Sequence, residues 1–189
     1  MNLGIIVASV REGRAGGPVA EWFAGTARAH GAFDVEMLDL KTWDLPLLSE
    51  PNHPRLKKYT QEKTKQWSAA VDACDAFAIV TPEYNFGAPP ALINALDHVY
   101  QEWHYKPAGF VSYGGISGGL RSVQHTKSIL TTFKIVPMVE AVAIPFIAKL
   151  VESGTFDAGE NNAKHNTSAE VLLDELARWT KALYALRQP

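Results

Sequence analysis

The sequence predicts an α/β fold: a five-stranded parallel sheet with helices on both faces. Two observations carry that expectation. Short apolar runs of strand length alternate strictly with longer stretches whose apolar residues recur at helical spacing. The runs at 3–8 and 76–80 are also apolar at successive positions, the pattern of strands covered on both faces. The chain of 189 residues is read as one domain, 1–189, long enough for a full-sized core.

The expected order is strand 3–9, helix 17–30, strand 33–39, helix 59–73, strand 76–81, helix 89–100, strand 108–113, helix 119–133, strand 138–144 and helix 167–187. Pro18 suits the first turn of the first helix, where a missing N–H is no loss, and Val19, Trp22, Phe23 and Ala27 mark its buried side. The second helix carries the stripe Lys63, Trp67, Ala70, Val71, Cys74, and the third carries Leu92, Ala95, Leu96 and Val99. Leu120, Val123, Leu130 and Phe133 line the fourth. Leu172, Leu176, Trp179, Leu183 and Leu186 form a stripe on the last, read as core. Strands joined this way lie parallel with right-handed crossovers. Five of them fit the order 2-1-3-4-5, in which the ligand crevice opens at the carboxyl ends of strands 1 and 3.

Loops suited to a ligand follow strands 1, 3 and 4, which are neighbours in that order. The first runs Ser9-Val10-Arg11-Glu12-Gly13-Arg14-Ala15-Gly16-Gly17 into the Pro18 helix. A hydroxyl, two arginines and glycines that admit close backbone approach stand before a helix N-terminus, a combination that favours a phosphate. It is neither a Walker loop nor a G-x-G-x-x-G fingerprint. The second is Thr81-Pro82-Glu83-Tyr84-Asn85-Phe86-Gly87-Ala88-Pro89-Pro90, whose amides from Glu83 to Gly87 are free to face a planar heterocycle. The third is Ser112-Tyr113-Gly114-Gly115-Ile116-Ser117-Gly118-Gly119-Leu120-Arg121, in which four glycines permit φ > 0 and close contact with a ligand.

Together these motifs resemble the NADPH-dependent FMN reductase family, whose fold is flavodoxin-like. Ser9 and Arg11 match the family's Gly-Ser-x-Arg loop, with Ala8 in place of glycine. Many relatives have a second serine near positions 15–17, where this chain has Ala15-Gly16-Gly17. That leaves the work to backbone amides or to Arg14, whose role stays open. Residues 81–90 match the loop that borders the isoalloxazine ring, and 114–121 match a second element beside it. The resemblance implies that Ser9, Arg11, Arg14, Gly16, Gly17, Pro82, Glu83, Tyr84, Asn85, Ser112, Gly114, Gly115 and Ser117 bind FMN. NADPH or NADH would be co-substrate, and a small-molecule acceptor (quinone, azo compound, flavin or metal ion) would take the electrons. A homodimer or homotetramer is also implied. No side chain is assigned as catalytic, because the flavin carries the chemistry, and Glu83 is read as positional.

Competing readings are a flavodoxin-type electron carrier, an FMN-binding regulator and a serine hydrolase. The carrier fits poorly with a net charge of only −2. Gly115-Ile116-Ser117-Gly118-Gly119 satisfies G-x-S-x-G, and Asp157 and His165 follow in the order of a hydrolase triad. Against it, the chain has room for about five strands and no His-Gly-Gly-Gly segment.

Composition is that of a globular domain, 47% hydrophobic and 20% charged, with no basic surplus for nucleic acid and no apolar run of membrane-spanning length. Met1-Asn2-Leu3 enters the first strand directly, so a cytoplasmic setting is expected. Cys74 is the only cysteine, which rules out intrachain disulfides and suits a packed helix end. The histidines are scattered without metal-ligand spacing, and His98 is read as a cation at a helix end. Trp103, His104 and Tyr105 are read as exposed rings in a subunit contact. The apolar, proline-rich segment 42–55 either covers a second subunit or folds onto its own chain. Residues 146–166 are read as a mobile loop.

Overall fold

The computed structural model describes residues 1–187. Its sheet comprises β1 (Asn2–Val7), β2 (Asp34–Asp39), β3 (Ala76–Pro82), β4 (Pro107–Tyr113) and β5 (Val136–Ile144). All pairs are parallel and the order is β2-β1-β3-β4-β5, as the alternation predicts. The connecting helices are α1 (Gly16–His30), the single turn α2 (Leu40–Trp43), α3 (Glu62–Asp72), α4 (Pro90–Asp97), α5 (Leu120–Leu130) and α6 (Asn162–Leu183). A short antiparallel hairpin, β6 (Val151–Glu152) with β7 (Thr155–Phe156), precedes α6. Among the described residues no helix is long and apolar enough to cross a membrane.

Alternation along the strands divides the core into two layers. Leu3, Ile5 and Val7 face Val19 and Phe23 of α1 and Leu172 and Leu176 of α6. On the opposite side, Ile6, Phe77 and Ile79 face Trp67 of α3, Leu92 and Leu96 of α4 and Val123 of α5. Each such side chain, fully withdrawn from water, stabilises the fold by about 1.5–3 kcal/mol before chain entropy is counted. β1, β3 and β4 are covered on both faces, which explains why their sequences are continuously apolar.

The expectations for Trp103 and for the start of the helix at 59–73 are corrected, and the other features named in the sequence are placed. Trp103 is not an exposed ring: it is 1% exposed, packs edge-on against Phe77 and Trp67, and donates its indole N–H to the Leu96 carbonyl at 3.1 Å. Tyr100 packs on Phe133, and His104 on Tyr100. His98 is buried at the end of α4, where Nδ1 lies 2.7 Å from the Asn94 carbonyl. Segment 42–55 folds onto its own chain at two points. Trp43 meets the Trp67 ring, and the Asn94 side chain bonds the Leu48 N–H and the Pro46 carbonyl. Helix α3 starts at Glu62, because the Glu50 carboxylate accepts the Thr60 and Gln61 amides at 2.8 and 2.9 Å and fixes the chain ahead of the helix.

The segment read as a mobile loop is structured instead. Phe156 of its hairpin inserts against Trp22 with ring centroids 5.2 Å apart, and α6 begins at Asn162. The last helix also turns differently from its apolar stripe. Trp179 and Leu186 are 40% and 57% exposed, whereas His165, Ala169, Leu173 and Thr180 are buried with Leu172, Leu176 and Leu183. Cys74 is buried, and burial pushes its thiol up to about 11, as suits an inert packed sulfur.

Trp103→Ala leaves a cavity beside two large rings and orphans no charge. It is expected to destabilise the protein by about 3–5 kcal/mol in urea titration. A loss below about 1 kcal/mol would mean that the ring is not core.

Candidate flavin site at the carboxyl end of the sheet

The carboxyl ends of β1, β3 and β4 meet in one cleft of about 370 Å³, a size that fits a compact cofactor. Arg11, Arg14, Pro82, Glu83, Tyr84 and Gly114 all line it. Ile147 and Val151 close it from the segment after β5, held by backbone bonds from Ile147 N–H to the Gly114 carbonyl and from Phe146 N–H to the Gly115 carbonyl, both 3.0 Å. Each of the three loops identified in the sequence therefore contributes to the same space.

The loop after β1 is shaped by interactions beneath it. Tyr113 at the end of β4 donates its hydroxyl to Ser9 Oγ at 3.0 Å, and burial pushes the phenol pKa up, so it stays a donor. Gly16 sits directly over this pair, where a Cβ would overlap both hydroxyls. Arg14 reaches sideways to form a two-pronged ion pair with Asp39 and also donates to the Ser9 carbonyl. The Asp39 hydrogen bond is the main cause that raises the Arg14 pKa. Arg11 stays in the open: its Nε donates to the Tyr84 hydroxyl at 3.2 Å and its guanidinium lies 5.5 Å from the Tyr84 ring centroid. Apart from the turn at Glu12-Gly13, the amides from 9 to 17 donate to no protein acceptor among the described residues. That is a row of free donors entering a helix N-terminus.

The loop after β3 turns tightly. Tyr84 and Gly87 exchange two backbone bonds of 3.0 and 2.9 Å, and the residues between them, Asn85 and Phe86, both have positive φ. This is the backbone of a two-residue hairpin turn. Glu83 ties it to the loop after β4. The carboxylate accepts from Ser117 Oγ at 2.9 Å, from the Arg121 amide at 3.1 Å and from Arg121 Nε at 2.7 Å. Desolvation pushes the Glu83 carboxyl up, but the bonds from Arg121 and Ser117 outweigh it and hold its pKa below the usual carboxylate range. The loop after β4 needs glycine at 119, where φ is +85° and a Cβ would crowd the Tyr113 backbone.

Three of the assigned residues have roles within the protein itself. Ser112 is buried and donates to the Gly118 carbonyl at 2.7 Å, so its hydroxyl shapes the loop and does not face the cleft. Gly16 provides clearance for Ser9 and Tyr113, and Arg14 holds the loop onto β2 through Asp39. Ser9 contributes from below, with its side chain covered, whereas Gly17, Asn85 and Gly115 remain at the loop surfaces. Tyr113, Asp39 and the 147–151 wall were not anticipated. Asp39 had a readable signal, being the carboxylate at the end of the strand next to β1. The hydrolase arrangement does not form. Ser117 donates to Glu83, Asp157 accepts from the Gly159 amide and Asn162, and His165 packs beside Trp22 and Phe156.

Known proteins with this chemistry have similar sequences. The NADPH-dependent FMN reductase family matches residues 1–149. An NAD(P)H-dependent FMN reductase of Schizosaccharomyces pombe is 38% identical over 165 residues, 85% of this chain and 81% of the relative. A quinone reductase of Pseudomonas putida is 27% identical over 188 residues, 95% of each. In fold, the chain is similar to FerB, a flavoenzyme NAD(P)H:(acceptor) oxidoreductase from Paracoccus denitrificans, with a TM-score of 0.74 at 21% identity, covering 96% and 97% of the two chains. The fold and site define a flavodoxin-like flavoprotein. The chain belongs to the NADPH-dependent FMN reductase family. It is an oxidoreductase with FMN as its cofactor and NAD(P)H as its reductant.

The residues present fit that cofactor. The free amides at 9–17 and the Arg11 guanidinium suit a phosphate, and the cleft opens beside a turn whose backbone suits a planar ring.

Glu83→Gln keeps the shape of the tie and removes its charge. Because the folded pKa of Glu83 is depressed, its contribution is present above the ordinary carboxylate pKa of about 4 and is lost as pH falls through the folded value. The variant should be less stable than wild type in urea at neutral pH, and the gap should close on acidification below about pH 4. A gap that stays constant with pH would contradict the ionised tie.

Proposed function

We propose that the chain is a ping-pong NAD(P)H:acceptor oxidoreductase acting on flat, small organic acceptors of the quinone class. The observation that carries this reading is the open loop after β1, whose Arg11, Gly13 and Ala15 line one cleft with Pro82, Glu83 and Tyr84. The quinone reductase of Pseudomonas putida, alike over 95% of both chains, supports the acceptor class. When bound, FMN supplies the hydride acceptance and electron transfer. The protein's own residues hold and orient. Arg11, braced on Tyr84, and the amides after Ser9 neutralise the phosphate, with Gly17 at the helix start. Pro82, Glu83, Tyr84 and Asn85 on one side, and Gly114, Gly115 and Ser117 on the other, border the ring. Ile147 and Val151 keep water from the side below β5. Glu83, ionised and tied to Arg121 and Ser117, orients loops and holds no proton to give.

Initial rates with NADPH or NADH against a benzoquinone test this reading. Parallel double-reciprocal lines are expected, because each substrate meets the enzyme in turn. A protein that binds FMN yet is not reduced by either nicotinamide on the timescale of turnover would instead be a carrier.

We further propose that the protein works in the cytoplasm, where its reductant is found, as a homodimer or homotetramer. Two features that suggested self-association, Trp103 and Trp43, are satisfied within the chain. The support that remains is the tip of segment 42–55, where Leu47 is 82% exposed, beside an open groove of about 510 Å³ walled by Val10, Leu45 and Ala91. Light scattering should give a mass that is a multiple of the 20.7 kDa chain at micromolar concentration. A mass equal to one chain would defeat this proposal.

A further inference from the structure

Helix α5 holds the ring-side loop at two points. Arg121, in its first turn, carries Glu83 and lays its guanidinium 4.0 Å from the Phe86 ring centroid. One turn later, His125 Nδ1 accepts the Ala88 N–H at 3.2 Å. A Cβ on Gly87 would stand 3.3 Å from the same nitrogen, so the imidazole backs the turn closely. The turn itself needs support. Asn85 and Phe86 have φ of 49° and 68°, a conformation that non-glycine residues keep only where their surroundings enforce it. The Tyr84–Gly87 bonds fix the shape of the turn but not its place. Glu83 anchors one end, and His125 is the side-chain anchor at the other.

We propose that His125 is a positioning residue of the reductase: by accepting the Ala88 amide, it sets where residues 84–88 stand against the flavin ring. The proposal rests on the reading of the cleft as the FMN site. The bond also imposes a protonation state. Nδ1 accepts only while unprotonated, with the ring proton on Nε2, whereas an imidazolium presents N–H donors at both nitrogens. The charged and titratable groups around it are Arg121 on the same helix face, Glu83 in the grip of Arg121, and Tyr84 in the loop. Lys127 is directed away, to the Met138 carbonyl, and the first turn of α4 at Pro90 and Ala91 carries no charge.

Two variants separate the bond from bulk. His125→Asn retains an acceptor near the Nδ1 position and takes up no proton, whereas His125→Leu removes the acceptor. The first readout needs no flavin: hydrogen exchange of the Ala88 amide in flavin-free protein. Protection is expected in wild type and His125→Asn, and a fall of about tenfold or more in His125→Leu. The second readout is FMN affinity by fluorescence quenching, expected to weaken about 3- to 10-fold in His125→Leu. In kcat/KM for the acceptor, His125→Asn should stay near wild type while His125→Leu falls. Equal Ala88 exchange in all three proteins, or equal FMN affinity and kcat/KM for His125→Leu and wild type, would overturn the proposal. A chain that bound no FMN would sink the functional reading, and the Ala88 exchange would still decide the role of His125.

Discussion

β1 lies parallel to β3, with Leu3 to Val7 in register against Ala76 to Val80. The chain crosses from β1 to β2 on one side of this pair and from β3 to β4 on the other, so it leaves the two strands toward opposite faces of the sheet. From β1 it passes to α1, which packs on one face with α6; from β3 it passes to α4, on the other. The two loops diverge and a crevice must open between them. Each feature of the site depends on that pairing. It places the free amides of residues 9–17 opposite the turn at 84–87, and it brings Arg11 within reach of Tyr84. It also sets β4 next in the sheet, so that Tyr113 comes under Ser9 and Ser117 comes against Glu83.

The loops are not independently flexible decorations on this frame. Arg14 fastens the first to the end of β2, Glu83 fastens the second to the third, and the third is fastened to the segment after β5 through Gly114 and Gly115. These ties run along the carboxyl edge of the sheet from strand to strand. In the proposed site, a phosphate and a planar ring would be met by groups already held in place, leaving less ordering for the moment of binding. The charges follow the same logic. Arg14 and Glu83 are satisfied within the protein, whereas Arg11, exposed at the mouth, keeps its terminal nitrogens for a ligand.

Sheet order and the three loops were legible because they depend on local signals: continuous apolar strands, helical stripes, and glycine or proline at the strand ends. The partner of Arg14 was not, since Asp39 becomes its neighbour only when β2 pairs with β1, where Asp39 lies opposite Val7. Trp103 misled for a similar reason. It stands in a polar connection, Gln-Glu-Trp-His-Tyr-Lys, and its burial is decided by Trp67 and Phe77, distant in sequence. The start of α6 was hidden because Asn-Asn-Ala-Lys-His-Asn-Thr shows no apolar period, although the helix is continuous through it. His125 left one trace only, a position one turn after Arg121 on the helix that follows the glycine loop.

We propose that the amides between Ser9 and Gly17, with Arg11, form a phosphate cradle at the switch point of the sheet. The most direct test is to titrate flavin-free protein separately with FMN and with riboflavin while following backbone amide resonances. FMN should shift the amides of residues 9–17 strongly downfield and bind far more tightly than riboflavin, which has the ring and lacks the phosphate. Equal affinity for the two flavins, with the amides of residues 9–17 unmoved by FMN, would contradict the account.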